Sequence, residues 1–128
     1  MSKEDISLTP AEWNVMECLW ESKPCTGREA TEYLSGRIGW SRSTTLTLLR
    51  RMTKKGIINC VKINGINAYL PLVKREDAVI RETKDFLNRI YKGSISMMMS
   101  TITKKQELTK QEINELYEIL RQAEGAEK

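Results

Sequence analysis

Apolar positions fall at helical spacing near the start of the chain, where Trp13, Val15, Met16, Leu19 and Trp20 form one stripe. Thr9-Pro10-Ala11-Glu12 opens that helix. Thr9 suits the N-cap, Pro10 suits the first helical position, and Glu12 completes a capping box. Ser22-Lys23-Pro24 ends it. A second box, Thr26-Gly27-Arg28-Glu29, begins a short helix carrying Ala30, Tyr33 and Leu34, and Gly36 and Gly39 are expected to break the chain. Ser41 caps a third helix running to about Lys55, with Gly56 as its stop and Thr45, Leu48, Leu49 and Met52 as its apolar stripe.

The period then changes. Ile57 to Ile63 is β-branched and strand-like, Asn64-Gly65 is a hairpin turn, and Asn67 to Val73 is the returning strand, with Pro71 at its end or at an edge. Helical spacing resumes after Lys74, with Val79, Thr83, Phe86, Leu87, Ile90 and Tyr91 on one stripe and Lys92-Gly93 as its end. Ser94 to Thr103 is a short apolar segment containing Met97, Met98, Met99 and Ile102. Thr109 then reads as a further capping position, with Gln111 beside it in the turn, ahead of Ile113, Leu116, Tyr117 and Leu120. The tail from Ala123 reads as frayed. The order helix, helix, helix, hairpin, then three helices predicts a mainly α fold: a winged helix-turn-helix with a small β-hairpin wing, followed by a C-terminal helical region. We place the division at residues 1–73 and 74–128.

The length of 128 residues suits one ordinary domain or a compact module with a helical extension. No stretch approaches the roughly 18 apolar residues that would span a bilayer, and Met1 to Asp5 carries no basic, apolar signal segment. A cytoplasmic protein without membrane insertion is expected. Cys18, Cys25 and Cys60 are odd in number and widely spaced, which does not make a disulfide framework. Histidine is absent, which removes imidazole base chemistry and most zinc sites. With no paired carboxylates on the basic segment and no phosphate-binding loop, no catalysis, metal or cofactor is expected.

The net charge of +4 hides an asymmetry. From Gly36 to Arg75 there are nine bases (Arg37, Arg42, Arg50, Arg51, Lys54, Lys55, Lys62, Lys74 and Arg75) and no acid. Forty residues without one acid, in a Glu-rich chain, point to a polyanion partner rather than an ordinary solvated face. If Thr45, Leu48, Leu49 and Met52 face inward, Ser43, Thr47, Arg50 and Lys54 lie opposite, as donors and cations suited to phosphates and base edges. The first turn, Ser41, Arg42, Ser43 and Thr44, offers backbone N–H groups to a phosphate. Arg51 lies about 100° from Arg50 around the helix, and binds phosphate or a carboxylate elsewhere. Lys62 sits near the wing tip. Double-stranded DNA is the expected partner, with the third helix in the major groove and the wing on the neighbouring backbone.

The sequence also resembles the penicillinase-repressor family, which includes methicillin-resistance and copper-responsive repressors. The residues that carry the resemblance are Leu8-Thr9-Pro10-Ala11-Glu12-Trp13 with Val15-Met16 and Leu19-Trp20, then Ser43-Thr44, Thr47-Leu48-Leu49, Arg51-Met52, Lys55-Gly56, Ala68-Tyr69, Pro71-Leu72-Val73 and Phe86-Leu87. It spans nearly the whole chain. It implies a homodimer bound to an inverted-repeat operator, with the C-terminal helices forming the dimer. It also implies a membrane sensor protease system that leads to a cut near Thr101 and Ile102. Met99-Ser100-Thr101-Ile102 lacks the Asn-Phe pair of the β-lactam-responsive members, so induction by β-lactam is not read from these residues. Copper-responsive members carry Cys-x-Cys pairs near the C-terminus, whereas this chain has no cysteine after Cys60, which argues against copper sensing.

The same residues admit other roles. Trp13 and Trp20 could stack on bases, but their apolar neighbours make them core. The Met97 to Met99 run reads as adaptable packing rather than a copper(I) site. Cys18 reads as buried, and nothing adjacent to Cys25 or Cys60 marks either as a redox sensor. The C-terminal stripes need a partner, and a second copy is the simplest one. The expected dimer residues are Phe86, Leu87, Ile90, Met98, Ile102, Ile113, Leu116, Tyr117 and Leu120. The competing reading is a winged-helix adaptor that binds protein, which would not need an acid-free third helix.

Overall fold

The computed structural model describes residues 7–105 and 107–126. The expected absence of a signal segment at residues 1–5, and the last residues of the tail, lie outside them. The order is α1 (Pro10–Glu21), β1 (Cys25–Thr26), α2 (Gly27–Ile38), α3 (Arg42–Lys55), β2 (Ile58–Ile63), β3 (Ile66–Pro71), α4 (Arg75–Tyr91), α5 (Ile95–Lys105) and α6 (Lys110–Ala126). Residues 1–85 form one compact unit and residues 86–128 a second.

Local chemistry sets the helix ends. The Thr9 hydroxyl accepts from the Glu12 backbone N–H at 3.1 Å, and the Thr9 N–H donates to the Glu12 carboxylate at 2.9 Å. Thr26 and Glu29 close the same box on α2 at 3.1 and 2.9 Å, and hydrogen bonding from the Thr26 backbone N–H and then its side chain holds the Glu29 carboxyl below the usual carboxylate range. Gly39 and Gly56 end α2 and α3 in the left-handed region, with φ of 72° and 87°. A β-carbon is strained there, which is why glycine stops both helices.

Four details differ from the expectation. Gly36 does not break α2, which continues to Ile38. The roughly 1 kcal/mol cost of an exposed helical glycine is outweighed by burial of Ala30 and Leu34 on the same helix. The hairpin belongs to a three-stranded antiparallel sheet, because the two residues of β1 pair with β3 in the order β1-β3-β2. On α6 it is Glu112, not Gln111, that closes the box with Thr109, at 3.0 and 3.1 Å. The segment Ala123 to Ala126 remains helical rather than frayed. The Asn64-Gly65 turn is as expected. Both residues have positive φ, 52° and 78°, the two-residue turn whose twist matches a hairpin, and it sets Ile63 opposite Ile66.

The core of the first unit gathers one face of each helix against the sheet. Val15, Met16 and Leu19 come from α1, Ala30 and Leu34 from α2, Leu49 and Met52 from α3, and Ile57 and Ile58 from the hairpin. Trp13 and Trp20 meet edge to face at 5.5 Å between ring centroids, and the Trp20 indole N–H donates to the Val73 carbonyl at 2.9 Å. Both are packing residues. The unit continues past the expected division at Val73, because Ala78 is buried in this core and Arg75 pairs with Glu17 at 2.8 Å. Leu49 is fully buried. Leu49→Ala should therefore destabilise the protein by about 2–5 kcal/mol through lost burial and a residual cavity, read as a lower denaturation midpoint in urea. An unchanged midpoint would mean that α3 is not anchored on this face.

The second unit contains no fully buried residue on α5 or α6. Phe86, Ile90, Ile95, Met97, Ile113, Tyr117, Ile119 and Leu120 are exposed apolar residues of this unit.

Candidate nucleic-acid interface

α3 is held by one face and leaves the other to solvent. Thr45, Leu49 and Met52 are buried, and Leu48, expected with them, is only half-buried against the same core. Rotation of about 100° per residue then turns Ser43, Thr47, Arg50 and Lys54 outward. Ser43, Arg50 and Lys54 are exposed and Thr47 is half-buried. Arg42, Thr44 and Arg51 are also exposed.

Ser41 has a different role from its neighbours. Its oxygen accepts from the Thr44 backbone N–H at 3.2 Å, and its hydroxyl donates to the Thr44 hydroxyl at 3.1 Å. Ser41 therefore caps the helix and orients Thr44, and the Thr44 backbone N–H is not free for a phosphate. The Thr44 hydroxyl keeps its own proton to donate outward. The first turn of α3 contains no acid, so the positive end of the helix is not neutralised by its own chain.

The basic block sorts into two groups. Lys55 pairs with Glu12 at 3.1 Å, Arg75 with Glu17 at 2.8 Å, and Arg37 with Glu21 at 3.9 Å while also covering the Tyr33 ring at 4.4 Å. The Glu21 carboxylate beside Tyr33 pushes that phenol up to about 12. The hydrogen bond to Glu17 raises Arg75 above its ordinary value. These three cations are structural. Arg42, Arg50, Arg51, Lys54, Lys62 and Lys74 are exposed and have no acid partner among the described residues. Five of these six were expected at the interface. Arg51 shows no carboxylate partner among the described residues.

The hairpin extends the surface. Lys62 is exposed on β2 one residue before the terminal Ile63–Ile66 pair. An open groove of about 1010 Å³ runs between α2, α3 and the hairpin, with Arg28, Arg42, Arg50 and Lys54 among its charged residues and Leu46, Ile66 and Tyr69 as apolar ones. Arg28, Ile66 and Asn67 escaped the sequence pattern, because only the folded hairpin brings Ile66 and Asn67 beside α2 and α3. Among the described residues, no cluster of His, Cys, Asp or Glu could hold a metal ion.

The residues expected to form a dimer lie on the second unit. Phe86, Ile90, Ile113, Tyr117 and Leu120 are exposed, while Leu87, Met98, Ile102 and Leu116 are half-buried. Met99 and Thr103 of α5 and Ile113, Leu116, Tyr117 and Leu120 of α6 line an open groove of about 680 Å³. Thr101 and Ile102 lie within α5 as regular helix, and the Thr101 hydroxyl donates to the Met97 carbonyl at 3.1 Å.

A model of the penicillinase-repressor family matches residues 8–122. The chain is 33% identical over 120 residues to the methicillin resistance regulatory protein MecI of Staphylococcus aureus strain N315, covering 94% of this chain and 98% of that protein. It is 32% identical over 126 residues to the penicillinase repressor of Bacillus licheniformis, covering 98% of each. Among solved structures it is similar to the monomeric form of Bacillus licheniformis BlaI in complex with the blaP half-operator. The TM-score is 0.51 at 30% identity, over 56% of this chain and 88% of that one. A structure of the DNA-binding domain of the repressor BlaI gives a TM-score of 0.50 at 31% identity, over 55% of this chain and 85% of that one. The winged helix-turn-helix architecture and these matches lead to one conclusion: the chain belongs to the penicillinase-repressor family.

Proposed function

We propose that this protein is a transcriptional repressor that binds an inverted-repeat operator in double-stranded DNA as a homodimer. The observation that carries the reading is the outward face of α3, where Arg42, Arg50, Arg51 and Lys54 stand without an acid partner among the described residues beside the donors Ser43, Thr44 and Thr47. Family membership supports the regulatory sign, and the BlaI relative solved with a half-operator supports the choice of DNA. α3 enters the major groove, Thr44 and Thr47 read base edges, Arg51 and Lys54 hold phosphates, and Lys62 reaches the backbone from the wing. DNA binding belongs to the unit that ends at Asp85, and dimerisation to the unit that follows it. A repressor of this kind works in the cytoplasm. No helix among the described residues is long and apolar enough to cross a membrane.

The dimer follows from the exposed stripes of the second unit. Ile113, Tyr117 and Leu120 lie at 40%, 56% and 64% exposure on α6. An apolar stripe of that kind is stable only against a partner, and a second copy doubles the number of half-sites engaged. A cut at Thr101-Ile102 by a protease under a membrane sensor would then release the operator.

Footprinting on the promoter of its own gene tests the reading. Protection of two half-sites related by two-fold symmetry is the expected result. With that operator, Thr44→Ala and Thr47→Ala should each lose about 1–3 kcal/mol on the operator and little on random DNA, whereas Arg51→Ala should weaken both. Equal losses on both DNAs for all three variants would overturn the assignment of base contacts.

A further inference from the structure

Cys18 and Cys25 sit on different elements. Cys18 lies in the last turns of α1, and Cys25 opens β1 opposite Tyr69 of β3. Their sulfurs are 3.7 Å apart, and each residue is only 1% exposed. Cys60 lies on the other side of β3, also opposite Tyr69, and is half-buried. We propose that Cys18 and Cys25 form a dithiol that a peroxide-class oxidant converts into an intramolecular disulfide, tying the end of α1 to the residue that precedes the Thr26 cap of α2.

A disulfide needs the sulfurs at about 2.05 Å. From 3.7 Å the closure is within reach of side-chain torsion. The two cysteines are seven positions apart in the chain, so the ring closes a short loop containing Ser22, Lys23 and Pro24. The two thiols are electronically unequal. Either sulfur can donate the hydrogen bond they share, which with burial pushes Cys18 up and, against burial, holds Cys25 below its ordinary value. Cys25 lies on β1, the edge strand that opens, so it is the nucleophile and Cys18, on α1, the resolving thiol.

The chemistry balances. The Cys25 thiolate attacks one oxygen of hydrogen peroxide, the O–O bond breaks, and Cys25 becomes a sulfenic acid as hydroxide leaves and takes a proton to become water. Cys18 sulfur then attacks the Cys25 sulfur. The S–O bond breaks, the S–S bond forms, and the departing hydroxide takes the Cys18 proton as a second water. Two thiols lose two electrons and the peroxide gains them. Access comes by local opening of β1, a two-residue strand at the sheet edge hydrogen-bonded to β3 alone.

Trypsin cuts after Lys and Arg except before proline, so Lys23-Pro24 survives. Cys18 and Cys25 then share the peptide Glu4–Arg28, and Cys60 falls in Gly56–Lys62. The full-length protein is exposed to hydrogen peroxide at a dose that fully oxidises glutathione in a parallel tube. Remaining thiols are then blocked with N-ethylmaleimide in denaturant, and the digest is weighed. The expected result is Glu4–Arg28 lighter by two hydrogens and unlabelled, with both labels restored by dithiothreitol. The Cys60→Ser variant should behave identically. The proposal is overturned if Glu4–Arg28 keeps both labels, if it carries sulfinic or sulfonic acid instead, or if its oxidation requires Cys60.

Discussion

Operator affinity is expected to fall by about four orders of magnitude between about 50 and about 200 mM salt, with a log–log slope of roughly −7. Six exposed cations of the basic block have no acid partner among the described residues. If about four of them per protomer neutralise phosphates, a dimer releases counterions from about eight, and each contributes about −0.9 to the slope. Fluorescence anisotropy of labelled operator across a potassium chloride series reads the slope directly. The ion pairs refine the expectation residue by residue. Arg51→Ala should flatten the slope by about two, since it removes one phosphate contact from each protomer. Lys55→Gln should leave it unchanged, because Lys55 is already paired with Glu12 at 3.1 Å. A slope near zero would remove the DNA reading and favour a winged-helix adaptor for protein, whose docking does not depend on counterion release.

That refinement marks where the sequence stops being readable. Helix starts were legible because a capping box is a contract between residues three apart: Thr9 with Glu12, Thr26 with Glu29. The stops at Gly39 and Gly56 and the Asn64-Gly65 turn were legible for the same local reason, a backbone that needs positive φ. Gly36 misled because propensity is weaker than packing, and Leu34, two residues before it, is buried at 1% exposure. β1 carried no pattern at all. Two residues cannot show alternation, and Cys25 and Thr26 become a strand only because β3 presents an open edge to them. The same distance in sequence hid the pairing of Lys55 with Glu12, 43 residues away. A count of nine bases was correct as a count, but three of them serve the fold. The outward face of α3 was legible because a helix of known period with a known inner stripe has only one other side. Arg28, Ile66 and Asn67 were not, since Arg28 comes beside α3 only through the packing of α2, and Ile66 and Asn67 only after the hairpin has formed.

Removing everything after Thr101 is expected to weaken binding to a complete operator by about 10²–10⁴, the advantage that a linked second half-site confers, while leaving binding to a half-operator unchanged. The proposed recognition surface lies between Ser41 and Lys62, so the cut touches none of it. It removes α6 entirely, and with it Ile113, Leu116, Tyr117 and Leu120, one wall of the apolar groove that α5 shares with α6. It also leaves α5 without its last turns, because Ile102 to Lys105 are helical in the intact chain. Peptide bonds in regular helix resist proteolysis until the segment opens. α5 suits such opening, since none of its residues is fully buried. Sedimentation of the 1–101 fragment reads its oligomeric state, and mobility shifts on full and half operators read the two affinities. Loss on the full site alone, with a monomeric fragment, would tie release to the loss of pairing. A fragment that still dimerises and binds the full operator as the intact chain does would show that a cut at this position is not the switch, and that the inducing event acts elsewhere on the protein.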